Sequence, residues 1–501
     1  MKLDKQDIVS IYNRIKNLAF LAFNAREFNK CLNYIEISAA IASKFSWTFK
    51  DDDYEELIKQ LSKCIIKPVE NYTSNINRYV FFDSFSYDNK GLSQQYIRAL
   101  ISQSVNFLYI TESSAHNYYS VQIFTEITKY EKADIFEVPR DIPKLKKIEI
   151  IFEQIISYGA SKIFMHLSPN AVCPLVAISA LPNTIIKYQI NLTDHAFWLG
   201  TKCLDYSFEF RPYGCTISQK KRGIDASRIL LLPFYPIASE IEFNGFPKEC
   251  KGKVIIFSGG AYPKILSEDQ LFLNLVKQLL NRNKDAIFLY AGSGDSIQIE
   301  KFIRNNDLSK RFILLGNRSD INEVFKNCDI YMSTYPLGGG LMAQFAAMNG
   351  KPIISYSTID KIHSWPEETI SQWKKIKITY TNIDEFLSFS QLLISDKKYR
   401  TSIGEEFREC VISIESFNKT FIQTIMENSN QIPYENEEIN VNFLFNNQIN
   451  VENVNNELKI FILKSFKLWT IKISPKIFFW AIIYLFRTGF WAKVFRRLKI
   501  L

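Results

Sequence analysis

The stretch Cys328–Ile354, C-D-I-Y-M-S-T-Y-P-L-G-G-G-L-M-A-Q-F-A-A-M-N-G-K-P-I-I, restricts the fold of this chain more than any other. It reads as a buried strand, a glycine run (Gly338, Gly339, Gly340), a helix of small residues, a glycine stop and a second buried strand. Strands joined through a helix run parallel, in a sheet covered on both faces. Glycines at a helix start let backbone N–H groups come close to an anion, where the helix dipole also favours negative charge. The plain alternative is a tight turn that binds nothing.

The same grammar recurs along most of the chain. After about residue 75, apolar runs of four to six residues bounded by turn formers predict strands at Tyr79–Asp83, Phe107–Thr111, Ile163–Leu167, Ile185–Ile190 and Tyr206–Phe210. Helical stretches such as Lys147–Tyr158 and Pro174–Leu181 fall between them. The run L-L-L-P-F-Y-P at Leu230–Pro236 and the polar stretch up to Gly252 read as a linker. A second series then predicts strands at Val254–Ser258, Ala286–Ala291, Phe312–Leu315, Asp329–Ser333 and Pro352–Tyr356. Before both series, Leu18, Phe20, Leu21 and Phe23, then Leu32, Ile35, Ile37 and Ala40, then Tyr54, Leu57, Ile58 and Leu61 have helical spacing. The expected class is therefore α/β, with two doubly wound Rossmann-like domains facing a cleft. The expected parts are a helical region at 1–70, a first Rossmann-like domain at 71–250, a second at 251–430, a solvated linker at 431–457 and a tail at 458–501.

Charge separates the tail from the rest. The chain carries a net +9, yet there is no Asp or Glu from Leu458 to Leu501 against ten Lys or Arg, and the remainder is nearly neutral. A nucleic-acid-binding body would show a basic face within the fold, so no nucleic-acid partner is expected. The apolar run at 477–486 would reach only about 15 Å as a helix, against about 30 Å of hydrocarbon. Downstream, Trp491, Val494, Phe495 and Leu498 share a helical face beside Lys493, Arg496, Arg497 and Lys499. This pattern predicts an amphipathic helix on an anionic membrane surface; a packed terminal helix and a partner-docking helix are the alternatives. The N-terminus lacks the apolar core of a signal peptide. The eight cysteines form no CxxC pair and read as buried reduced thiols. The expected location is cytoplasmic, peripheral on the inner face of the plasma membrane. With four histidines a zinc site is not expected, and Asp51-Asp52-Asp53 reads as a solvated turn, so no metal is assigned.

Three glycine-bearing turns end strands of the second domain: S-G-G-A-Y-P-K (Ser258–Lys264, with Gly259 and Gly260), A-G-S-G-D (Ala291–Asp295, with Gly292) and the triple glycine. All belong at the carboxyl edge of one sheet, where such folds bind ligands. Lys264 adds a charge suited to phosphate, so the set predicts a diphosphate site. There is no G-x-G-x-x-G after the first strand and no G-x-x-x-x-G-K-[ST], which disfavours dinucleotide dehydrogenases and P-loop NTPases. In the first domain, His195 beside Asp194 is the best candidate for a general base, a structural turn being the alternative. Arg211 suits an acceptor or phosphate oxygen, or an ordinary ion pair.

On S-G-G-A-Y-P-K (258–264), F-L-Y-A-G-S-G (288–294), F-I-L-L-G-N-R-S-D-I (312–321) and the run Cys328–Pro352, the chain resembles bacterial GT-B fold glycosyltransferases with a family 1/4-like donor domain. The resemblance covers 253–428 closely and 75–250 by architecture. It implies that 71–250 receives the acceptor and 251–430 holds the nucleotide sugar, with UDP-sugar as donor and no cofactor. It implies donor contacts from Gly259, Gly260, Lys264, Gly292, Arg318, Gly338, Gly339, Gly340, Leu341 and Gln344, with Arg318 beside the nucleobase. It departs from the family at Phe345, where members carry an acidic residue for the donor ribose; Gln344 stands beside it.

The activity implied is hexosyl or N-acetylhexosaminyl transfer to a surface polysaccharide, glycolipid or glycoprotein acceptor. A non-catalytic GT-B-like subunit bound to a partner glycosyltransferase is the second reading, motivated by Phe345. A nucleotide-sugar epimerase shares the fold but needs more acidic and histidine residues at the cleft than this chain offers.

Overall fold

Short apolar runs ending in small or polar residues set the strands. The computed structural model describes residues 2–88, 92–112, 121–238, 241–267, 269–358, 365–370, 376–434, 439 and 452–487. In the first domain β1 (Asn75–Asp83), β2 (Asn106–Thr111), β3 (Ala133–Glu137), β4 (Ala160–His166), β5 (Ile186–Ile190), β6 (Tyr206–Glu209) and β7 (Ile229–Leu231) form one parallel sheet in the order β3-β2-β1-β4-β5-β6-β7. In the second, β8 (Val254–Gly259), β9 (Ala286–Ala291), β10 (Phe312–Gly316), β11 (Ile330–Met332), β12 (Ile353–Tyr356) and β13 (Thr379–Tyr380) follow the order β10-β9-β8-β11-β12-β13. Both orders reverse once, between β1 and β4 and between β8 and β11, and each reversal opens a crevice at the carboxyl ends of the two strands.

Three strands depart from the sequence expectation, the first being β3, whose A-D-I-F-E is a half-exposed edge strand and not a continuous apolar run. The leucines read as the start of a linker make β7, because Ile229–Leu231 pair with Ser207–Glu209 and are buried; the linker begins nearer Pro233. β13 has two residues, too short for any periodicity to mark.

The N-terminal helices α1 (Lys5–Asn24), α2 (Phe28–Phe45) and α3 (Asp52–Ile65) are well signalled locally. Asp4 and Asp7 make a capping box on α1, and Asp51 caps α3 while its carboxylate receives the Lys16 ammonium at 2.7 Å. Their inner residues Leu32, Ile35, Leu57 and Leu61 share one core with Val80, Ile163 and Val176 of the first domain. The helical region is thus continuous with that domain.

The last helix of the second series, Ile414–Glu427, packs back on the first domain. Phe417, Phe421 and Ile425 join the core that holds Phe164 and Phe208, and the Phe421 ring centroid lies 5.2 Å from Tyr96, 5.4 Å from Phe164 and 5.7 Å from Phe208. Two polar contacts add to this link: Gln344 Nε2 donates to the Phe234 carbonyl at 2.8 Å, and Tyr213 N to Glu368 Oε2 at 3.2 Å.

Within 431–457, Ile432 and Tyr434 pack on the first domain's core, 435–438 and 440–451 lie outside the described residues, and a helix starts at Glu452. In the tail, the helices Glu452–Phe466, Thr470–Ile473 and Pro475–Arg487 bury Leu458, Ile462, Phe466, Ile473 and Ile477 against Ile8, Ile11, Ile15, Ile41 and Phe45. Among the described residues no helix is long and apolar enough to cross a membrane. The amphipathic face expected at Trp491–Lys499 lies outside them.

Phe421→Ala should cost about 3–5 kcal/mol, the range for deleting a fully buried ring. Chemical denaturation followed by tryptophan fluorescence checks this. A loss under about 1 kcal/mol would mean the returning helix is not part of the first domain's core.

Candidate active site

After β8 and β9 the backbone is drawn unusually close. Gly260 has φ +144°, and a Cβ on Gly292 would stand 2.1 Å from the Gly260 carbonyl oxygen. Only glycine lets the turn after β9 lie under the loop after β8, which is held there by Gly260 N to Ala291 O at 2.9 Å and Tyr262 N to Ser293 O at 2.9 Å. The loop then carries Lys264 toward the glycine run: Lys264 Nζ donates to the Gly338 carbonyl at 3.4 Å. Gly339 caps the helix Gly340–Met348, so the free N–H groups of its first turn open beside that ammonium. Burial lowers the Lys264 pKa, as expected for a cation partly out of water with no carboxylate beside it among the described residues. The Tyr290 hydroxyl, buried under Gly260, has no hydrogen-bond partner among the described residues. A cation, a helix N-terminus and an approachable backbone converge where an anion is best held.

Gln344 and Arg318, also expected at the donor, are engaged elsewhere. Leu341 is half-buried in the helix's first turn. Gln344 is buried, and its Nε2 is taken by the Phe234 and Thr369 carbonyls. Phe345 turns into the core and stacks on Phe325 at 6.2 Å. Arg318 is clamped on Asp320 by Nε at 2.7 Å and Nη2 at 2.6 Å, with Nη1 on the Gly245 carbonyl at 2.9 Å. It therefore fixes the linker end; Asn244 N donates to the same Asp320.

Across the cleft, the loop after β5 carries Asp194 and His195. His195 Nδ1 lies 3.1 Å from Asp194 Oδ1, and its side chain is 50% exposed, so the ring can meet a substrate. Asp194 is fully buried and gripped by Arg211, whose Nε and Nη2 donate to its two oxygens, the latter at 2.9 Å. Burial alone would raise the Asp194 carboxyl; the Arg211 guanidinium outweighs it and holds it well below the usual range. Arg211, expected at the acceptor, is thus a buried ion pair sandwiched by Phe210 and Tyr213.

Beneath this loop lie a second buried arginine and a buried carboxyl, Arg222 and Glu209, joined through the Ser218 hydroxyl. Arg222 Nη2 donates to the Asp194 carbonyl at 2.8 Å and the Ala196 carbonyl at 2.7 Å, with the Trp198 ring at 4.9 Å. Glu209 accepts from Asn191 Nδ2 at 2.8 Å and from Ser207 and Ser218 hydroxyls at 2.9 Å and 2.5 Å. Burial pushes the Glu209 carboxyl up to about 7, with Arg222 opposing the rise. A Cβ on Gly214 would meet Glu209 Oε2 at 2.6 Å, so this packing needs a glycine. From outside, Glu55 of α3 accepts from Gly200 N at 2.8 Å and Lys202 N at 3.1 Å.

One pair was missed by sequence reasoning. At the β1/β4 reversal, Asp83 and His166 are register neighbours at the carboxyl ends of their strands. His166 Nδ1 lies 2.9 Å from Asp83 Oδ1, the Tyr109 hydroxyl donates to Oδ2 at 3.0 Å, and both residues are fully buried. Burial would raise the Asp83 carboxyl, but His166 and the backbone N–H groups of Ser86 and Phe85 hold it below its usual range. His166 Nε2 is buried without a partner among the described residues. The available signal was a polar residue at the carboxyl end of an apolar strand, F-F-D and F-M-H.

The comparisons agree with this geometry. Residues 252–373 match the family model described as Glycosyl transferases group 1. No curated protein matches the sequence. Among solved structures, an O-GlcNAc transferase mutant of Thermobaculum terrenum is similar over 84% of this chain and 81% of its own, with TM-score 0.52 and 12% identity. HepE of Anabaena in complex with UDP and glucose is similar over 70% of this chain and 99% of its own, with TM-score 0.53 and 11% identity. A TarM mutant of S. aureus in complex with fondaparinux, alpha-GlcNAc-glycerol and UDP covers 70% of this chain and 99% of its own, with TM-score 0.50 and 9% identity. At such identities the likeness is one of fold. The protein has the GT-B fold, and its second domain carries the group 1 glycosyl transferase pattern.

The Glu209 environment gives a pH test. The folded state holds the Glu209 proton more tightly than the unfolded chain, so its stabilisation is full below the unfolded value of 4.5 and is lost as pH rises through about 7. Over that window the wild type should lose on the order of 3 kcal/mol relative to Glu209→Gln. Parallel stability-against-pH curves for the two proteins would contradict it.

Proposed function

We propose that this chain is a glycosyltransferase that moves a sugar from a nucleoside diphosphate sugar, held by the second domain, to a hydroxyl of an acceptor received by the first. The observation that carries the reading is Lys264 at the glycine-opened helix, at the β8/β11 reversal. In transfer, the bond between the sugar's anomeric carbon and the diphosphate breaks. The leaving diphosphate gains negative charge, which Lys264 and the N–H groups of Gly340 and Leu341 would stabilise. The acceptor oxygen bonds the anomeric carbon and loses its proton, and we assign that proton to exposed His195, oriented by Asp194. UDP is the favoured nucleotide, since the HepE and TarM structures contain it. The acceptor class is a glycan, lipid-linked or protein hydroxyl, and the sugar a hexose or N-acetylhexosamine.

A non-catalytic subunit of a glycosylation complex is the second reading. It is favoured by Phe345 in the core and by Gln344 and Arg318 being engaged away from the donor.

Calorimetry with UDP and UDP-sugars separates the two. Lys264→Met should weaken UDP about ten- to a hundred-fold, the loss of a charged hydrogen bond worth about 1.5–3 kcal/mol, with unchanged melting temperature. His195→Gln should leave UDP affinity intact and lower sugar transfer by about 10²–10⁴-fold. No binding heat with the wild type would favour the scaffold; equal affinity in Lys264→Met would remove the site assignment.

A further inference from the structure

The C-terminal helices carry apolar side chains on two sides. One side, through Leu458, Ile462, Phe466, Ile473 and Ile477, is buried against the N-terminal helices. The other is open: Leu468 is 78% exposed, Trp469 62% and Phe479 53%. Eight of the eighteen exposed large hydrophobics among the described residues lie between Ile460 and Tyr484. A helix apolar on both sides calls for a second cover, and so dense an exposed set marks an interaction surface.

Charge says what the cover is. No acidic residue occurs from Leu458 to Leu501, while Lys464, Lys467 and Lys472 are exposed beside the apolar groups. The Lys472 ammonium lies 4.2 Å from the centroid of the Trp469 ring. Aromatic rings flanked by lysine stems suit the boundary between headgroups and acyl chains. A second copy of the same face would set lysine against lysine. None of the described helices can span a bilayer, which leaves attachment in the plane of the surface. We propose that this open face, centred on Leu468, Trp469 and Phe479, lies on an anionic lipid bilayer while the buried face anchors the body of the enzyme to it. The cleft would then work at a membrane surface, the cytoplasmic face of the plasma membrane, within reach of acceptors held there.

The test is vesicle flotation of the full chain, with phosphatidylcholine vesicles containing phosphatidylglycerol and with phosphatidylcholine alone. The protein should float with the anionic vesicles only, and salt should release it. The double variant Leu468→Ser with Trp469→Ser should bind at least about ten-fold more weakly. Replacing Lys464, Lys467 and Lys472 by Ala should cost about five-fold per lysine. Both variants should keep the wild type's melting temperature and its calorimetric affinity for UDP, so failure here is separate from failure of the donor site. Equal binding to neutral vesicles, no binding of the wild type to either, or wild-type binding by both variants would overturn the proposal. So would a dimer in sedimentation that Trp469→Ser dissolves, since a second copy would then own the face.

Discussion

A parallel strand cannot turn straight back into its neighbour; it must leave the sheet at its carboxyl end and return through a crossover. Every loop with chemical content in this protein follows from that. The glycine turns after β8 and β9, the run before Gly340–Met348, and the Asp194–His195 loop all stand at carboxyl edges. Reversing the strand order once in each sheet parts the loops at β8/β11 and at β1/β4. One gap receives Lys264 and the triple glycine, the other Asp83 and His166. The helix Ile414–Glu427, packed on the opposite domain, keeps the two sheets associated.

The two sides of the cleft are held by different physics. The donor side relies on close backbone approach: Gly292 leaves no room for a Cβ, Gly260 holds φ +144°, and the polar groups offered are N–H dipoles and one ammonium. The acceptor side relies on buried charge. Arg211 fixes the Asp194 side chain, Arg222 fixes its carbonyl, and Glu55 reaches from α3 to the amides at the loop's far end. Removing either partner of such a pair leaves an uncompensated buried charge. The N-terminal helices are therefore tied both to the first domain's core and to the loop presented to the acceptor.

Much of the fold was legible in the sequence because buried parallel strands are continuous apolar runs: the limits of β9 are those the sequence predicts. Where the signal was short or mixed it failed. Pro233 made the leucines of β7 look like a linker, and β13 has two residues. The glycine turns and Lys264 could be grouped because each follows a recognisable strand. The ion pair of Arg211 stood among the alternatives, but the roles of Arg318 and Gln344 could not be read, since a charged or amide side chain gives no sign of its partner. Asp83 and His166 meet only because β4 lies beside β1, a strand order that periodicity does not contain. The tail's inward face was hidden for the same reason: Ile462 and Ile477 find Ile8 and Ile15 from the other end of the chain.

A crystal structure of the full chain with UDP bound tests the central assignment most directly. The expected result has the diphosphate within hydrogen-bond distance of Lys264 Nζ and of the amides of Gly340 and Leu341, at the β8/β11 reversal. A diphosphate bound elsewhere, or a UDP-soaked crystal with that crevice empty, would contradict it.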